Sequence, residues 1–342
     1  MHIILNKKYE KLFLYWIITL ITLVISMIVI GGLTRLTNSG LSITEWELFK
    51  GILPPFTEDK WIYYFNLYKE IPQYKLINNQ ISLEEFKVIF YWEYIHRLLG
   101  RFYGIIFLIP LLFLIYKKVF FKEYVIKFIL LFLFVLFQGF IGWYMVESGL
   151  VNNTTVSHFR LSLHLFNAFI IFSSLIWIYF IFKFKVNKKF FRNKNEIIII
   201  KFFLFLIFLQ VVIGAFVSGL DAGKIYQTWP LMNHSYFPDD LDIKRLFLIS
   251  NLSDGSFVQF LHRNLAYLIL IIFIIIGYKI IKSKIIYLYK TYIYLSLILT
   301  FQITLGILTL LSNLNIYLAI MHQFSSIILI FFSLRLYFIS IN

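Results

Sequence analysis

Four histidines stand inside long apolar runs, and they come as two pairs: His96 with His164, and His262 with His322. A polar side chain at membrane depth is costly unless it faces a bundle interior, and a lone histidine there is commonly a hydrogen-bonded packing residue between helices. A repeated pair asks for more. Two imidazoles from facing helices at one depth suit the axial positions of haem iron, each Fe–N bond being about 2 Å long. Zinc is the competing metal, but it would want three or four ligands per site, and each pair offers two. The chain has no cysteine, which excludes disulfides, thiolate metal sites and iron–sulfur clusters.

The neighbours of the pairs differ. Glu93 precedes His96 by three residues, one helical turn away on the same face, whereas Gln259 holds that place before His262. One pair keeps an ionisable group beside its metal and the other an amide, which predicts chemistry at the Glu93 site and electron carriage alone at the Gln259 site. Arg97, Arg101 and Arg263 lie close to the pairs and could hold carboxylates such as haem propionates; the alternative is that they snorkel to the interface. His158, His234 and His2 are expected not to be iron ligands, with His158 either at the surface or reaching a propionate. Gly31 and Gly32 form no phosphate loop, because no Lys-Ser/Thr follows them.

What must position these residues is a set of membrane helices. The chain of 342 residues is 60% hydrophobic and 14% charged, a balance that breaks the expectation for soluble domains of this size. Eight segments are long enough to span, approximately Leu12 to Ile30, Phe86 to Tyr116, Ile126 to Met145, Phe159 to Phe182, Ile197 to Gly219, Phe257 to Ile280, Ile285 to Leu311 and Ile316 to Phe338. They are too long and continuous for barrel strands, so helices are expected.

The net charge of +15 lies in alternate loops. Lys7, Lys8 and Lys11 precede the first span; Lys117, Lys118, Lys122 and Lys127 fill the second loop; Lys183, Lys185, Lys188, Lys189, Arg192 and Lys194 the fourth; Lys279, Lys282 and Lys284 the sixth. The third loop (Val146 to Ser157) and the seventh (Ser312 to Asn315) have none. The positive-inside rule then places both termini in the cytoplasm. The long first and fifth loops face outward with Glu45, Glu47, Glu58, Asp59, Asp221, Asp239, Asp240 and Asp242. The positive charge thus serves orientation and lipid attraction, not nucleic acid. The stretch before the first span carries no cleavable-signal or transit pattern, so a bacterial cytoplasmic (inner) membrane is the expected address, with the histidines toward its periplasmic side.

The chain also repeats itself. IGGLTRLTNSG (Ile30 to Gly40) matches IGAFVSGLDAG (Ile213 to Gly223) in its leading Ile-Gly and a later Gly; Glu93, His96 and Arg97 match Gln259, His262 and Arg263; Gln138 and Gly142 match Gln302 and Gly306; His164 matches His322. Four landmarks in one order predict an all-α integral membrane protein of two four-helix bundles, residues 1–185 and 186–342, related as a parallel repeat.

At this level of detail the chain resembles the haem A synthase family. The resemblance rests on GGLTRLTNSGLSITEWELFKGILPP (Gly31 to Pro55), EYIHRLLGR (Glu93 to Arg101), QGFIGWYMVESGL (Gln138 to Leu150), VSHFRLSLHL (Val156 to Leu165), GAFVSGLDAGKIYQTWPLM (Gly214 to Met232), QFLHR (Gln259 to Arg263) and MHQFSS (Met321 to Ser326). It is similar to the mitochondrial and alphaproteobacterial branch, which lacks cysteine pairs. The resemblance implies oxidation of the C8 methyl of haem O, through successive hydroxylations and loss of water from a gem-diol, to the formyl group of haem A for cytochrome oxidase. It further implies that His96 and His164 face the substrate haem, that His262 and His322 ligate a haem b cofactor, and that Glu93 is the catalytic acid. Where relatives commonly show Gln in a VSQYR stretch, this chain has His158. Implied partners are haem O synthase (protohaem farnesyltransferase) and cytochrome oxidase assembly factors, with self-association left open.

Two other functions compete. A di-haem b protein could pass electrons from a quinol without modifying haem, but it needs no acid in only one half. A transporter built on parallel repeats has little use for paired histidines.

Overall fold

The computed structural model describes residues 3–46, 50–151, 153–184, 194–241 and 249–341. His2, Glu47, Lys185, Lys188, Lys189, Arg192 and Asp242, and the boundary after residue 185, lie outside the described residues. Among the described residues ten α-helices form: α1 (Glu10–Leu36), α2 (Glu58–Glu70), α3 (Pro72–Leu76), α4 (Leu83–Tyr116), α5 (Lys122–Leu150), α6 (His158–Lys183), α7 (Lys194–Gly219), α8 (Gly255–Lys282), α9 (Ile286–Leu311) and α10 (Ile316–Ile341). All but α2 and α3 are long and apolar enough to cross a membrane, and the chain is a multi-pass membrane protein. Among the described residues the only extended pairings are two isolated bridges, Ile4 with Phe120 and Met232 with Ser235.

The eight long helices contain the eight expected spans to within a few residues, and two of them open on side-chain caps. Ser82 and Glu85 cap α4 reciprocally: the Glu85 amide donates to the Ser82 hydroxyl at 3.2 Å, and the Ser82 amide donates to the Glu85 carboxylate at 2.8 Å. Asp254 caps α8 by accepting from the Phe257 amide at 2.9 Å. Two differences from the sequence reading stand out. The first long loop, expected from the sequence only to be long, is partly helical: α2 opens on Thr57 and α3 on Pro72, both favourable first-turn chemistry. And α5 runs on to Leu150 into the third loop, where the Ser148 hydroxyl accepts from the Ser157 amide at 2.9 Å.

The chain divides into two compact units, Ile3–Phe172 and one built on Ser173–Asn342, with the boundary inside α6. In the first, α1 packs along α4; the Trp16 indole donates to the Ile106 carbonyl at 2.9 Å, and its ring meets Phe107 edge-on at 5.5 Å. The loop end of α4 is covered on one face by α2 through a buried cluster of Trp61, Phe65, Tyr68, Phe86, Phe90 and Tyr94, with Tyr74 of α3 packed against it. In the second, α7 packs on α8 and α9 on α10. Phe273 and Tyr292 stack at 4.5 Å, and Trp177 and Phe180 at the end of α6 pack against Phe338.

Candidate haem-binding sites

Each of the four histidines sits against a glycine of a neighbouring helix. A Cβ built on Gly31 of α1 would lie 3.0 Å from Cε1 of His96 on α4, and one on Gly142 of α5 would lie 3.0 Å from Cε1 of His164 on α6. In the second unit the distances are 3.2 Å from Gly214 of α7 to His262 of α8, and 3.0 Å from Gly306 of α9 to His322 of α10. The imidazoles therefore occupy the space that any larger residue at those four positions would take. All four are half-buried, and the Nδ1 atoms of His96, His164 and His262 are buried without a hydrogen-bond partner.

Within the first unit the His96 and His164 ring centroids are 6.4 Å apart, inclined at 69°. Two Fe–N bonds of about 2 Å, plus roughly 1 Å from each nitrogen to its ring centre, require a separation of about 6 Å. The spacing fits one iron held between the rings. Among the described residues no group of three His, Cys, Asp or Glu converges on a point. Two imidazoles leave a bare zinc ion short of ligands, but they complete a metal whose remaining donors come from a macrocycle. Orphaned ring nitrogens, glycine seats and a bis-imidazole donor set all fit haem.

Glutamines reinforce three of the seats. The Gln138 amide donates to the His164 carbonyl at 3.0 Å and accepts from Asn167 at 2.8 Å. The Gln210 amide donates to the His262 carbonyl at 3.0 Å and lies 3.3 Å from its Nε2. Gln302 lies 3.4 Å from Nε2 of His322, its carbonyl is 3.1 Å from Nδ1 of that ring, and its side-chain oxygen accepts from Ser325. Gln138 and Gln302 were visible as repeat landmarks; Gln210 was not singled out, although it stands one turn before Gly214 as the other two stand before Gly142 and Gly306.

Glu93 is buried, 3% exposed, and fully satisfied. One carboxylate oxygen accepts from the Ser42 hydroxyl at 2.8 Å and the Ile43 amide at 2.9 Å; the other accepts from Arg97 at 2.5 Å. Arg97 also donates to the carbonyls of Ile43 at 2.8 Å and Glu45 at 3.4 Å. The acid beside His96 thus fastens the first long loop to α4. Removing Arg97 alone would strand a buried carboxylate, a change that typically costs about 3–5 kcal/mol. Gln259 occupies the matching place in the second unit, buried, donating to the Tyr226 carbonyl at 2.9 Å. Arg263 donates to the same carbonyl at 3.0 Å and to that of Leu231 at 3.2 Å. Both arginines that follow a histidine are therefore loop-holding groups in this structure. Arg101 lines a small pocket with Arg97, Tyr94 and Leu53. His158 opens α6 with its ring 4.2 Å from Phe159, and His234 is exposed in the fifth loop.

The fifth loop has its own anchor. Asp240 accepts from the Tyr226 phenol at 2.7 Å and from the Ser256 hydroxyl at 2.6 Å. Burial pushes the Asp240 carboxyl up, but these hydrogen bonds outweigh it and hold the group below its usual value. A carboxyl depressed on folding stabilises the protein above its unfolded pKa and loses that contribution as pH falls through the folded value. The thermal advantage of wild type over Asp240→Asn, measured in detergent, is expected to be present at neutral pH and to vanish in acid.

Comparison with known proteins gives the seats a context. The family described as cytochrome oxidase assembly protein matches residues 14–334, all four seats included. The chain belongs to that family. Among the similar proteins of this kind are the haem A synthases of Pelagibacter ubique, 49% identical over 327 residues and 95% of both chains, and Rickettsia bellii, 41% identical over 92% of this chain and 94% of that one. That of Flavobacterium psychrophilum is 39% identical over 94% of this chain and 96% of its own. For a member of the family the glycine seats make a sharp test. Gly142→Ala and Gly306→Ala, each a better helix former by about 1 kcal/mol, are expected to lower bound haem several-fold per mole of protein in pyridine-haemochrome spectra, because the added methyl displaces the ring while the helix gains.

Proposed function

We propose that this chain is a haem A synthase, an oxidoreductase that converts the C8 methyl group of haem O to the formyl group of haem A for cytochrome c oxidase. The observation that carries the reading is an asymmetry: the same glycine–histidine seat recurs in both units, and a buried carboxylate stands beside only one of them. The full-length similarity to proteins named haem A synthase supports it. In a di-haem b protein that only passes electrons, Glu93 would serve as a loop fastener alone.

In this reading residues 1–185 form the substrate half and 186–342 the cofactor half of a parallel repeat. His96 and His164 hold haem O, and His262 and His322 hold haem b, which supplies one-electron redox chemistry when bound. Arg97, Arg101 and Arg263 bind or neutralise propionates at the loop-facing edges, Arg97 sharing its charge with Glu93. Written with water as the oxygen source, turning a methyl into a formyl group takes up one water and releases four protons, with four electrons passing to an external acceptor, so a buried base near the reacting carbon would have a defined task. Glu93 fills it, taking a proton on the oxygen now facing Arg97. Both termini are cytoplasmic, and the sites lie toward the periplasmic side of the inner membrane, within reach of haem O synthase and oxidase assembly factors.

Pigment extraction tests this. Membranes expressing the chain with a haem O source should yield haem b together with haem A or its hydroxymethyl precursor by mass and haemochrome spectra. Haem b alone overturns the synthase reading in favour of electron transfer, and no haem overturns both.

A further inference from the structure

Two turns after His96, on the same face of α4 and further from the outer loops, stands Tyr103. It is 4% exposed, its ring lies 6.3 Å from that of Phe107, and its phenolic oxygen is buried with no hydrogen-bond partner among the described residues. A buried tyrosine usually finds a partner for its hydroxyl, and leaving one unmet costs free energy that a ligand can recover. The second unit supplies the contrast. In the alignment that sets His96 on His262, Phe107 falls on Phe273 and Tyr103 on Ile269, and these four non-histidine side chains are buried. Histidine and phenylalanine repeat, while the residue between them changes from a phenol to a hydrocarbon. One other buried phenol lacks a partner among the described residues, that of Tyr124, but it sits in the first turn of α5, about 27 Å along that helix from the Gly142 seat.

The two haems of the proposed reaction differ in one polar group. Where haem b carries a vinyl, haem O carries a secondary alcohol that bears the farnesyl tail, on the edge of the macrocycle remote from the propionates. With the propionates beside Arg97 and Arg101 at the loop-facing edge, that alcohol faces inward, to the side of His96 on which Tyr103 stands. A long helical side chain leans back toward the start of its helix, here toward His96, and a phenol and an alcohol can each donate and accept. We infer that Tyr103 is the residue by which the first unit tells haem O from haem b: its phenol hydrogen-bonds the side-chain alcohol of haem O, and Ile269 gives the second unit an apolar surface that matches a vinyl group. The inference rests on the proposed assignment of haem O to the His96 and His164 seat. Haem b in that seat leaves the phenol unmet, and a site built to bond a hydroxyl rejects the analogue lacking it more sharply than an apolar site discriminates by size.

The test purifies the full-length protein from cells whose membranes hold haem b and haem O together, and counts the extracted pigments per chain by mass. Haem O, its hydroxymethyl derivative and haem A are summed as one farnesylated pool. Wild type is expected to carry one farnesylated haem and one haem b. Tyr103→Phe, which keeps the ring and its packing, should shift occupancy of the first unit toward haem b by about tenfold, so that haem b rises above one per chain while total haem is unchanged. Tyr124→Phe should leave the wild-type ratio. An unchanged ratio in Tyr103→Phe, an equal loss of both pigments, or the same shift in Tyr124→Phe overturns the inference alone. Wild-type protein that takes up no farnesylated haem overturns the functional reading and this inference with it.

Discussion

Glu93→Gln is expected to lower haem A formation by about a hundredfold or more, the usual scale for losing a positioned acid–base group, while haem content stays near wild type. The second unit shows why the fold should survive. Gln259 is buried in the equivalent place and satisfies itself by donating to the Tyr226 carbonyl. In the variant the amide oxygen can still accept from Ser42 or Ile43, and Arg97 keeps its bonds to the carbonyls of Ile43 and Glu45. What disappears is the negative charge and its capacity to take a proton. Haem A measured by chromatography from cells supplied with haem O reads the result; an unchanged yield removes Glu93 from the chemistry and leaves it as a loop fastener.

His262→Ala and His322→Ala should each abolish the haem b spectrum, because an iron held by two imidazoles loses half its protein ligation and the glycine seat opposite becomes a cavity. The same changes at His96 and His164 should instead deplete the haem O or haem A fraction and spare haem b. Extracted pigment, separated by mass, distinguishes the two patterns. Retention of haem b in both His262→Ala and His322→Ala would break the assignment of the cofactor to the second unit.

Much of this was legible in the sequence, for reasons that differ by element. The spans follow from hydropathy, since lipid demands a continuous apolar run whatever the tertiary contacts. Histidine pairs and the Glu93/Gln259 contrast were readable because ionisable groups at membrane depth are rare enough to carry information. The helices of the first loop were not. Their stability comes from Trp61, Phe65 and Tyr68 packing on Phe86 and Phe90, a tertiary surface that no local period of the loop announces. Nor did the sequence show that Arg97 and Arg263 spend their hydrogen bonds on loop carbonyls, because backbone acceptors leave no mark in residue identity. The glycine seats lay in between. Gly142 and Gly306 were recognised as repeats, but their role appears only when the imidazole is seen in the space beside them.

The length of α4 carries one more consequence. At about 1.5 Å per residue its 34 residues extend about 51 Å, well beyond a hydrocarbon core of about 30 Å. With Lys117 and Lys118 taken as one interface, the surplus falls at the end that begins with Leu83, and the edge of the acyl region falls near Glu93 and His96. One face of that surplus is covered by protein, with α2 and the first loop packed on it. Hydrophobic mismatch is therefore absorbed along a shaft already braced from outside. A thinner or thicker bilayer shifts the lipid boundary along α4 and leaves the carboxylate, its guanidinium and the imidazole in register with one another.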